Sequence, residues 1–161
     1  MSNTGIIYGV NGPVIYLKGD SGFKISEMVY VGPENLVGEI IGLKKGMTTV
    51  QVFEETTGLK PGDTVTGTGD AISVLLGPGI IHNIFDGIQR PLEEIAKASG
   101  KYISRGVSVD SLDTQKKWNT HITVKEGDVV GPGSIIAETQ ETDSILHKSM
   151  VPPNLTEATV I

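Results

Sequence analysis

The stretch that decides the fold is Leu75–Glu93, with the sequence LLGPGIIHNIFDGIQRPLE. The Gly77-Pro78-Gly79 triplet near its start favours a sharp bend. Sequence patterns typical of short strands lie on both sides, so this stretch is predicted to connect two β modules. The large apolar residues within it recur at the spacing of one helix face, and they are Ile80, Ile81, Ile84, Phe85 and Ile88.

A short helix is predicted at the end of this stretch. Pro91 suits the first turn of a helix, where a backbone N–H has no partner within the helix. Glu93 and Glu94 then lie at the positive end of the helix dipole, and Gly100 is a typical stop. We therefore expect one helix near residues 91–99.

The first 70 residues have the pattern of a small β-barrel. Alternating Ile6, Tyr8 and Val10 predict a strand, and Asn11-Gly12-Pro13 predicts the turn that ends it. Six short strands without a helix favour a closed barrel, because closure removes unpaired sheet edges. The other five predicted strands are Val14–Leu17, Met28–Val31, Val37–Leu43, Thr48–Phe53 and a last one that ends at Thr68.

A second β module, of a barrel-sandwich kind, is predicted after the connector. The fold class is therefore mainly β, with an N-terminal barrel over residues 1–70, a helical connector over 71–109 and a β insert over 110–161. One apolar run that predicts a strand, Tyr102–Val109, lies at the end of the connector and leads into this module. Those within the insert are Ile122–Val124, Val129–Val130, Ile135–Ala137 and Ile145–Val151.

Composition and charge exclude several classes of partner and site. The 161 residues carry a net charge of −6 with no basic run longer than two residues, which disfavours duplex nucleic acid and anionic membranes. The chain has no cysteine, so disulfides and thiolate metal sites are excluded. No apolar run has membrane-spanning length and the N-terminus lacks a secretory pattern, so we expect a soluble, cytoplasmic chain.

No residue is assigned a catalytic, cofactor-binding or metal-binding role. The phosphate-binding pattern GxxxxGK[S/T] is absent from the sequence. The three histidines, His82, His121 and His147, are far apart in sequence. Three acidic residues and one histidine are spaced so that they would meet across a predicted hairpin as metal ligands, although a solvent-exposed face is the simpler interpretation. That group is Glu138, Glu141, Asp143 and His147.

Two single residues leave alternatives open. Trp118 follows Lys116-Lys117, a pattern that suggests base stacking, but a lone aromatic in an acidic chain is more often a core anchor. Arg90, just before the helix, is suited to support an interface or to meet a neighbouring carboxylate, and the alternative is a local capping contact.

The residue string of the connector is more specific than its period. Leu76-Gly77-Pro78-Gly79, followed by Ile84–Leu92 with the sequence IFDGIQRPL, resembles the LGPG…(Y/F)DGIQRPL string of one protein family. That family is the catalytic A subunit of V-type and archaeal A-type rotary ATPases. The likeness spans nearly the whole chain and includes Gly5–Glu27, Leu36–Leu43, Val52–Gly62, Lys116–Trp118 and Ile145–Pro153.

The resemblance implies a role in a large assembly. In the family, the barrel joins B subunits in an alternating A3B3 ring, and the insert distinguishes A from B subunits and faces the peripheral stalk. Mg-ATP binds to a core beyond the equivalent of Ile161, so this segment alone is expected to be inactive and to hold no cofactor. The complete enzyme couples ATP hydrolysis or synthesis to proton or sodium transport, and its soluble head meets the membrane only indirectly.

The resemblance also implies that the insert continues past Ile161, so its sheet is expected to have an open edge. The sequence departs from the family pattern at a few positions. They are Tyr30 in place of a basic residue, Thr120 and Ile122 in place of phenylalanine and proline, and Asn154–Glu157 in place of a glycine-bearing turn.

Two hypotheses from other classes stand beside this one. Gly127–Glu138 resembles the GDxVxxGxxIxxxE half of biotinyl and lipoyl carrier domains, which carry a modified lysine at a hairpin tip. Lys148 is the candidate for that lysine. The other alternative is a free-standing β interaction module.

Overall fold

The computed structural model describes residues 3–19 and 21–161. The chain divides into two compact units. The first unit contains the chain up to Val74 together with Ile95–Ser108, and the second contains Leu75–Glu94 together with Val109–Ile161.

The first unit is built on a closed six-stranded barrel, as the sequence predicted. Every neighbouring pair is antiparallel, and the order around the barrel is β1-β2-β5-β4-β3-β6. Closure leaves no strand of this barrel with an unpaired edge. The strands are β1 (Thr4–Asn11), β2 (Val14–Lys18), β3 (Glu27–Val31), β4 (Leu36–Lys44), β5 (Met47–Val52) and β6 (Thr64–Ala71).

The barrel core follows from the alternation of the strands. In β2, Ile15 and Leu17 are fully buried while their neighbours are partly or fully exposed, which is the period-two pattern of a sheet with one dry face. Burying each such side chain contributes about 1.5–3 kcal/mol. The buried core consists of Ile7, Ile15, Leu17, Phe23, Val29, Val31, Leu36, Ile40, Val50, Val52 and Val65.

One charged side chain lies inside the barrel wall. Glu27, at the start of β3, is 1% exposed, and its two carboxylate oxygens accept hydrogen bonds from the backbone N–H groups of Lys24 (2.8 Å) and Gly69 (3.0 Å). A Cβ atom built on Gly67 would lie 2.2 Å from the Glu27 carboxylate, so only glycine leaves room for it. The register of β3 against β6 shifts between Glu27 and Val29. The carboxylate thus satisfies backbone groups at an irregularity that the strand ladder leaves open.

The short helix predicted near residues 91–99 is present as α1 (Leu92–Ser99). Two acidic residues lie in its first turn, and the Gly100 N–H donates to the Ala96 carbonyl where the helix ends. Gly100 has a φ of 76°, a left-handed conformation that glycine adopts at little cost.

The sequence pattern and the structure differ at two places in this part of the chain. The apolar residues between Ile80 and Ile88 recur at helical spacing, but this segment forms turns rather than a helix. The Tyr102–Val109 run forms no strand, and its residues 102–108 belong to the first unit as turns and irregular chain. In the first segment, local hydrogen bonds from Asn83 and to Asp86 override the apolar pattern. In the second, Arg105 and Gly106 instead bind residues 34, 54 and 57 of the barrel turns.

The second unit contains two small sheets. Strand β9 (Ile135–Thr142) lies between β10 (Ile145–Met150) and β7 (Thr120–Ile122), and β8 (Val129–Val130) pairs with β11 (Ala158–Thr159). Among the residues that the structure describes, β10 pairs only with β9, so its other edge is open.

The Lys-x-Gly-Asp turns of the two units have the same hydrogen bonds. The Asp63 carboxylate accepts from the Lys60 N–H at 3.0 Å, and the Asp128 carboxylate accepts from the Lys125 N–H at 2.8 Å. The two segments share the pattern Lys-x-Gly-Asp because they form the same kind of turn, so the similarity needs no duplication of a longer segment.

Candidate functional site

The segment 75–90 closes on itself, and Asp86 organises its second half. One Asp86 oxygen accepts hydrogen bonds from the N–H groups of Ile88 (3.1 Å) and Arg90 (2.8 Å), and the other accepts from Arg90 Nε at 2.8 Å. Burial raises the pKa of Asp86, but the hydrogen bonds from Arg90 and Ile88 and the charge of Arg90 outweigh it, so the pKa lies below its ordinary value. The Asp86 carboxylate is therefore held ionised in this turn.

The side-chain amide of Gln89 closes the segment at its base. Its oxygen accepts a hydrogen bond from the Leu75 N–H at 2.6 Å, and its nitrogen donates to the Leu75 carbonyl at 2.7 Å. Gln89 itself has a φ of 63°, a left-handed conformation that a non-glycine residue rarely adopts. We call residues 75–90 the closed loop, because their ends meet as in an Ω-loop.

A carboxylate from β9 holds the glycine-rich half of the closed loop. One oxygen of Glu141 accepts hydrogen bonds from the N–H groups of Gly79 (2.7 Å) and Ile81 (3.0 Å). The Asn83 amide donates to the Gly79 carbonyl at 2.5 Å, and Gly79 has a φ of 106°. The backbone of the loop is thus fixed by side chains rather than by a strand ladder.

The closed loop exposes large apolar side chains. Leu76 is 71% exposed and Ile84 is 73% exposed, and Leu75 and Ile81 are also exposed. Its ion pair is largely buried, since the side chains of Arg90 and Asp86 are only 12% and 19% exposed. The chemistry that the loop offers to another molecule is therefore mainly apolar.

In the first unit, Arg105 fastens the segment after α1 to turns of the barrel. Its guanidinium contacts both oxygens of Glu34, with Nε at 2.8 Å, and also donates to the Thr57 carbonyl. The Gly106 N–H donates to the Glu54 carboxylate at 2.9 Å. We call Arg105, Gly106 and these partners the Arg105 clasp.

The ionisation of the clasp follows from its geometry. The hydrogen bond from Arg105, opposed by desolvation and supported by the Arg105 charge, lowers the pKa of Glu34. The same hydrogen bond raises the pKa of Arg105 further above its ordinary value. Both groups are charged at neutral pH, so the clasp joins a planar cation to a carboxylate through two parallel hydrogen bonds.

The acidic group considered for metal binding is divided among other contacts. Glu141 binds the closed loop, and Glu138 lies 3.9 Å from Lys148 Nζ on the neighbouring strand. Asp143 lies in the turn between β9 and β10, and His147 lies opposite Thr139 in the strand pairing. Within residues 3–19 and 21–161, no three acidic or histidine side chains gather as metal ligands. His82 and His121 lie at separate exposed positions.

Trp118 and Arg90 both make local contacts. The Lys116 ammonium lies 4.1 Å from the centroid of the Trp118 ring, a cation–π contact between near neighbours in sequence. Trp118 is half-buried, and its ring edge lies 3.6 Å from the position that a Cβ of Gly79 would occupy. Arg90 Nε lies 2.8 Å from Asp86 Oδ2, so within the closed loop Arg90 meets a carboxylate four residues earlier in the chain.

The comparisons with known proteins agree with both β units. The ATP synthase alpha/beta family, beta-barrel domain, matches residues 7–69, and the ATP synthase alpha/beta subunit barrel-sandwich domain matches residues 109–161. The V-type ATP synthase alpha chain of Halothermothrix orenii is 51% identical over 96% of this chain. The chain belongs to the ATP synthase alpha/beta family.

Two further relatives have the same breadth of match within this family. The V-type ATP synthase alpha chain 2 of Clostridium tetani is 50% identical over 96% of this chain. The A subunit of the A-type ATP synthase of Methanopyrus kandleri is 48% identical over the same share. The match covers 26% of each of these relatives, so the chain spans about a quarter of their length. The resemblance to the catalytic A subunit of V-type and A-type ATPases is thereby confirmed.

The position of Lys148 does not fit a carrier domain. The carrier hypothesis needs a lysine at a hairpin tip, but Lys148 lies within β10, opposite Glu138 of β9, while the turn of that hairpin is formed by Asp143 and Ser144. The barrel-sandwich match over residues 109–161 explains the likeness as one of shape. Within the described parts of this family member, no helix is both long and apolar enough to span a membrane.

Several residues that shape this site were missed in the sequence. Gln89 binds the backbone of Leu75, 14 residues earlier, and Glu141 binds the backbone of Gly79 across 62 residues. Arg105 binds the side chain of Glu34 across 71 residues. No periodicity or short motif encodes such contacts. The only signal for Gln89 is its place in the family string that ends with Pro91-Leu92.

Proposed function

We propose that this chain is the N-terminal scaffold and assembly region of the catalytic A subunit of a V/A-type ATP synthase. Three parts divide this role: a ring-forming barrel over residues 1–70, a connector over 71–109 and an A-specific insert over 110–161. The observation that carries the proposal is 51% identity over 96% of the chain to a V-type ATP synthase alpha chain, on a closed barrel and a second β unit.

The barrel contributes to an alternating A3B3 ring by contacting B subunits. Its outer surface carries large exposed apolar side chains on β1, where Ile6 is 53% and Tyr8 57% exposed, and Ile41 and Leu43 are exposed on β4. Apolar side chains of this size on a barrel surface suit a contact with another protein. The ring in turn holds the catalytic parts of the subunits in register.

The insert faces subunits of the peripheral stalk. Val129 is 67% and Leu155 is 54% exposed, and the outer edge of β10 is open among the described residues. Such an edge accepts another strand or is covered by another chain. The assembly is cytoplasmic and meets the membrane only through its other subunits, and nucleic acid has no part in it.

Catalysis belongs to polypeptide that this chain does not include. The relatives are about four times as long, and the phosphate-binding pattern is absent from these 161 residues. In the complete subunit Mg-ATP is bound, and its hydrolysis or synthesis is coupled to proton or sodium transport. We assign no catalytic, cofactor or metal residue within residues 1–161.

A chimera tests this proposal. In it, this chain replaces the stretch that it matches in the Halothermothrix orenii alpha chain, and the product is expressed with the other head subunits of that complex. We expect native mass spectrometry to find a ring of three A and three B subunits. We also expect this ring to hydrolyse ATP in an activity assay. A chimera that folds but never joins B subunits would contradict the proposal.

Two matched variants of the chimera separate the parts of the surface. Ile6→Asp with Tyr8→Asp places charges on the barrel surface and is expected to weaken ring assembly at least about tenfold, as for the loss of an interface anchor. Val129→Asp with Leu155→Asp makes the same change on the insert and is expected to leave the ring intact. If both pairs of substitutions weakened ring assembly equally, the proposed contact between the barrel surface and the B subunits would be wrong.

A further inference from the structure

The hairpin between β1 and β2 carries an Asn-Gly pair at its tip. Strand β1 ends at Asn11, strand β2 begins at Val14, and these two residues lie opposite each other in the strand pairing. Gly12 and Pro13 form the turn between them, and Gly12 has a φ of 58°. Glycine in this left-handed conformation is typical of tight hairpin turns. The pair therefore lies at the end of an antiparallel ladder, where the chain reverses.

The two groups that react in an Asn-Gly pair are both accessible here. Asn11 and Gly12 are exposed, and no atom of a non-neighbouring residue lies within 4 Å of the position that a Cβ of Gly12 would occupy. Among the residues that the structure describes, neither the side-chain amide of Asn11 nor the N–H of Gly12 has a hydrogen-bond partner. Exposed loop tips are also where a folded chain moves most easily.

The turn is anchored at other atoms. The Thr56 hydroxyl donates to the Gly12 carbonyl at 2.7 Å, and the Val52 N–H donates to the Pro13 carbonyl at 2.8 Å. Both acceptors follow the Gly12 Cα in the chain, so these hydrogen bonds restrain neither the Gly12 nitrogen nor the Asn11 side chain. The hairpin tip keeps its place while the Asn11–Gly12 peptide remains free to react.

We propose that Asn11 is a site of spontaneous deamidation in the folded protein. The backbone nitrogen of Gly12 attacks Cγ of Asn11, a new C–N bond closes a cyclic imide, and the bond between Cγ and the side-chain nitrogen breaks. Ammonia leaves with the proton that the Gly12 nitrogen loses. Water then adds to either imide carbonyl and opens the ring to aspartate or to isoaspartate, so the sequence of steps needs no oxidant or reductant.

The residue that follows each asparagine makes Asn11 selective. Glycine has no Cβ beside the attacking nitrogen, and the chain has one Asn-Gly pair. The other asparagines that the structure describes all precede a leucine, an isoleucine or a threonine, whose side chain crowds the nitrogen. They are Asn3, Asn35, Asn83, Asn119 and Asn154.

The Asp86-Gly87 pair is a useful contrast within the same chain. Cyclisation there would start from a carboxylate, and both oxygens of Asp86 accept hydrogen bonds from Ile88 or Arg90. An ionised, hydrogen-bonded carboxylate is a poor electrophile, so this pair is protected. The reactive pair is the one on the barrel hairpin.

Either product changes the hairpin. Aspartate replaces a neutral amide with a negative charge at an exposed turn. Isoaspartate in addition routes the main chain through Cβ, which lengthens it by one atom beside the pairing of Asn11 with Val14. The inference concerns this hairpin alone and does not depend on the proposed assembly role.

The test follows the conversion in heavy-oxygen water. The 161-residue chain is incubated at neutral pH, once folded and once in urea, and its peptides are read by mass spectrometry. Each deamidation takes up one oxygen from the solvent, which separates it from earlier damage. In the folded chain we expect Asn11 to convert at least about tenfold faster than each of the other asparagines, a difference of about 1.4 kcal/mol in barrier. We expect its folded rate to lie within about tenfold of its rate in urea.

The matched control is Asn11→Gln, which keeps an exposed amide before Gly12 but needs a larger ring for the same attack. We expect conversion at position 11 to fall at least about tenfold in this variant, with an unchanged circular dichroism spectrum. If Asn11 converts only in urea, the folded turn protects it and the proposal is wrong. Equal conversion at the other asparagines, or an unchanged rate in Asn11→Gln, would also overturn it, because neither fits attack by the Gly12 nitrogen.

Discussion

At the scale of single residues, Glu27 has the sharpest consequence. Its buried carboxylate accepts from two backbone N–H groups, those of Lys24 and Gly69. Glu27→Gln keeps the shape but turns one oxygen into a donor that faces a donor, so we expect a loss of about 1–3 kcal/mol in the free energy of unfolding. Urea unfolding monitored by circular dichroism measures this loss.

Glu39→Gln is the matched control for Glu27, because Glu39 lies on the outward-facing side of β4 and is half-exposed. We expect its effect to stay within about 0.5 kcal/mol. If both variants unfold at the same urea concentration, the buried carboxylate is not holding the β3 and β6 irregularity together.

Asp86 gives a prediction about pH at the same scale. Its folded pKa lies below the ordinary value of 3.8, so the folded state binds fewer protons than the unfolded state. Its stabilisation is therefore fully present above the unfolded pKa and is lost as pH falls through the lower folded pKa. We expect Asp86→Asn to cost about 1 kcal/mol at pH 6 and progressively less as the pH falls below 3.8.

The pH prediction is measured as a difference between two chains. Urea midpoints of the wild type and Asp86→Asn are compared from pH 6 downwards, and Asp143→Asn, which removes an exposed carboxylate from a turn, serves as control. A gap between wild type and Asp86→Asn that widens on acidification would have the wrong sign for an ionised, hydrogen-bonded carboxylate.

At the scale of elements, the features that depend on residues close together in sequence were predictable, and those that depend on long-range contacts were not. The barrel was predictable because alternation and glycine-rich turns act within a few residues, and the helix because Pro91, the two glutamates and Gly100 bracket it. The helical spacing from Ile80 to Ile88 does not correspond to a helix, because Asp86 and Gly87 favour a turn that the spacing of apolar residues does not reveal.

The contacts that fix the closed loop and the clasp were beyond sequence analysis for a different reason. Glu141 meets Gly79 across 62 residues and Arg105 meets Glu34 across 71 residues, so each depends on folds that have already formed. Neither residue type is unusual at its position. Only coordinates or a set of covarying homologues contain that information.

The Arg105 clasp is expected to hold the segment after α1 against the barrel turns. Arg105→Lys keeps the positive charge but loses the planar fork that spans Glu34 and the Thr57 carbonyl. We expect the amides of Gly106 and Val107 to exchange with solvent about two- to fivefold faster, as for an exposed ion pair. Hydrogen exchange read by NMR measures this at each amide.

The clasp has its own control and its own salt dependence. Lys101→Ala removes an exposed cation four residues earlier and is expected to leave both amides unchanged. Raising the salt concentration to about 1 M is expected to move the wild type towards Arg105→Lys, because an exposed ion pair is screened. If neither Arg105→Lys nor high salt changed the exchange rates of these amides, the backbone contacts alone would hold this segment.

At the scale of the whole molecule, the family membership and the sequence lead to opposite expectations about ATP binding. The relatives are ATP synthase subunits, yet this chain is acidic and lacks the glycine-rich loop with a lysine that surrounds phosphates with N–H donors. We expect calorimetric titration of the 161-residue chain with Mg-ATP to give no saturable heat up to about 1 mM. The chimeric subunit, which restores the rest of a relative, is expected to bind Mg-ATP under the same conditions. Saturable micromolar binding by the short chain would place a nucleotide site within these residues and would separate this member from the division of labour proposed above, since its scaffold would then also contact the substrate.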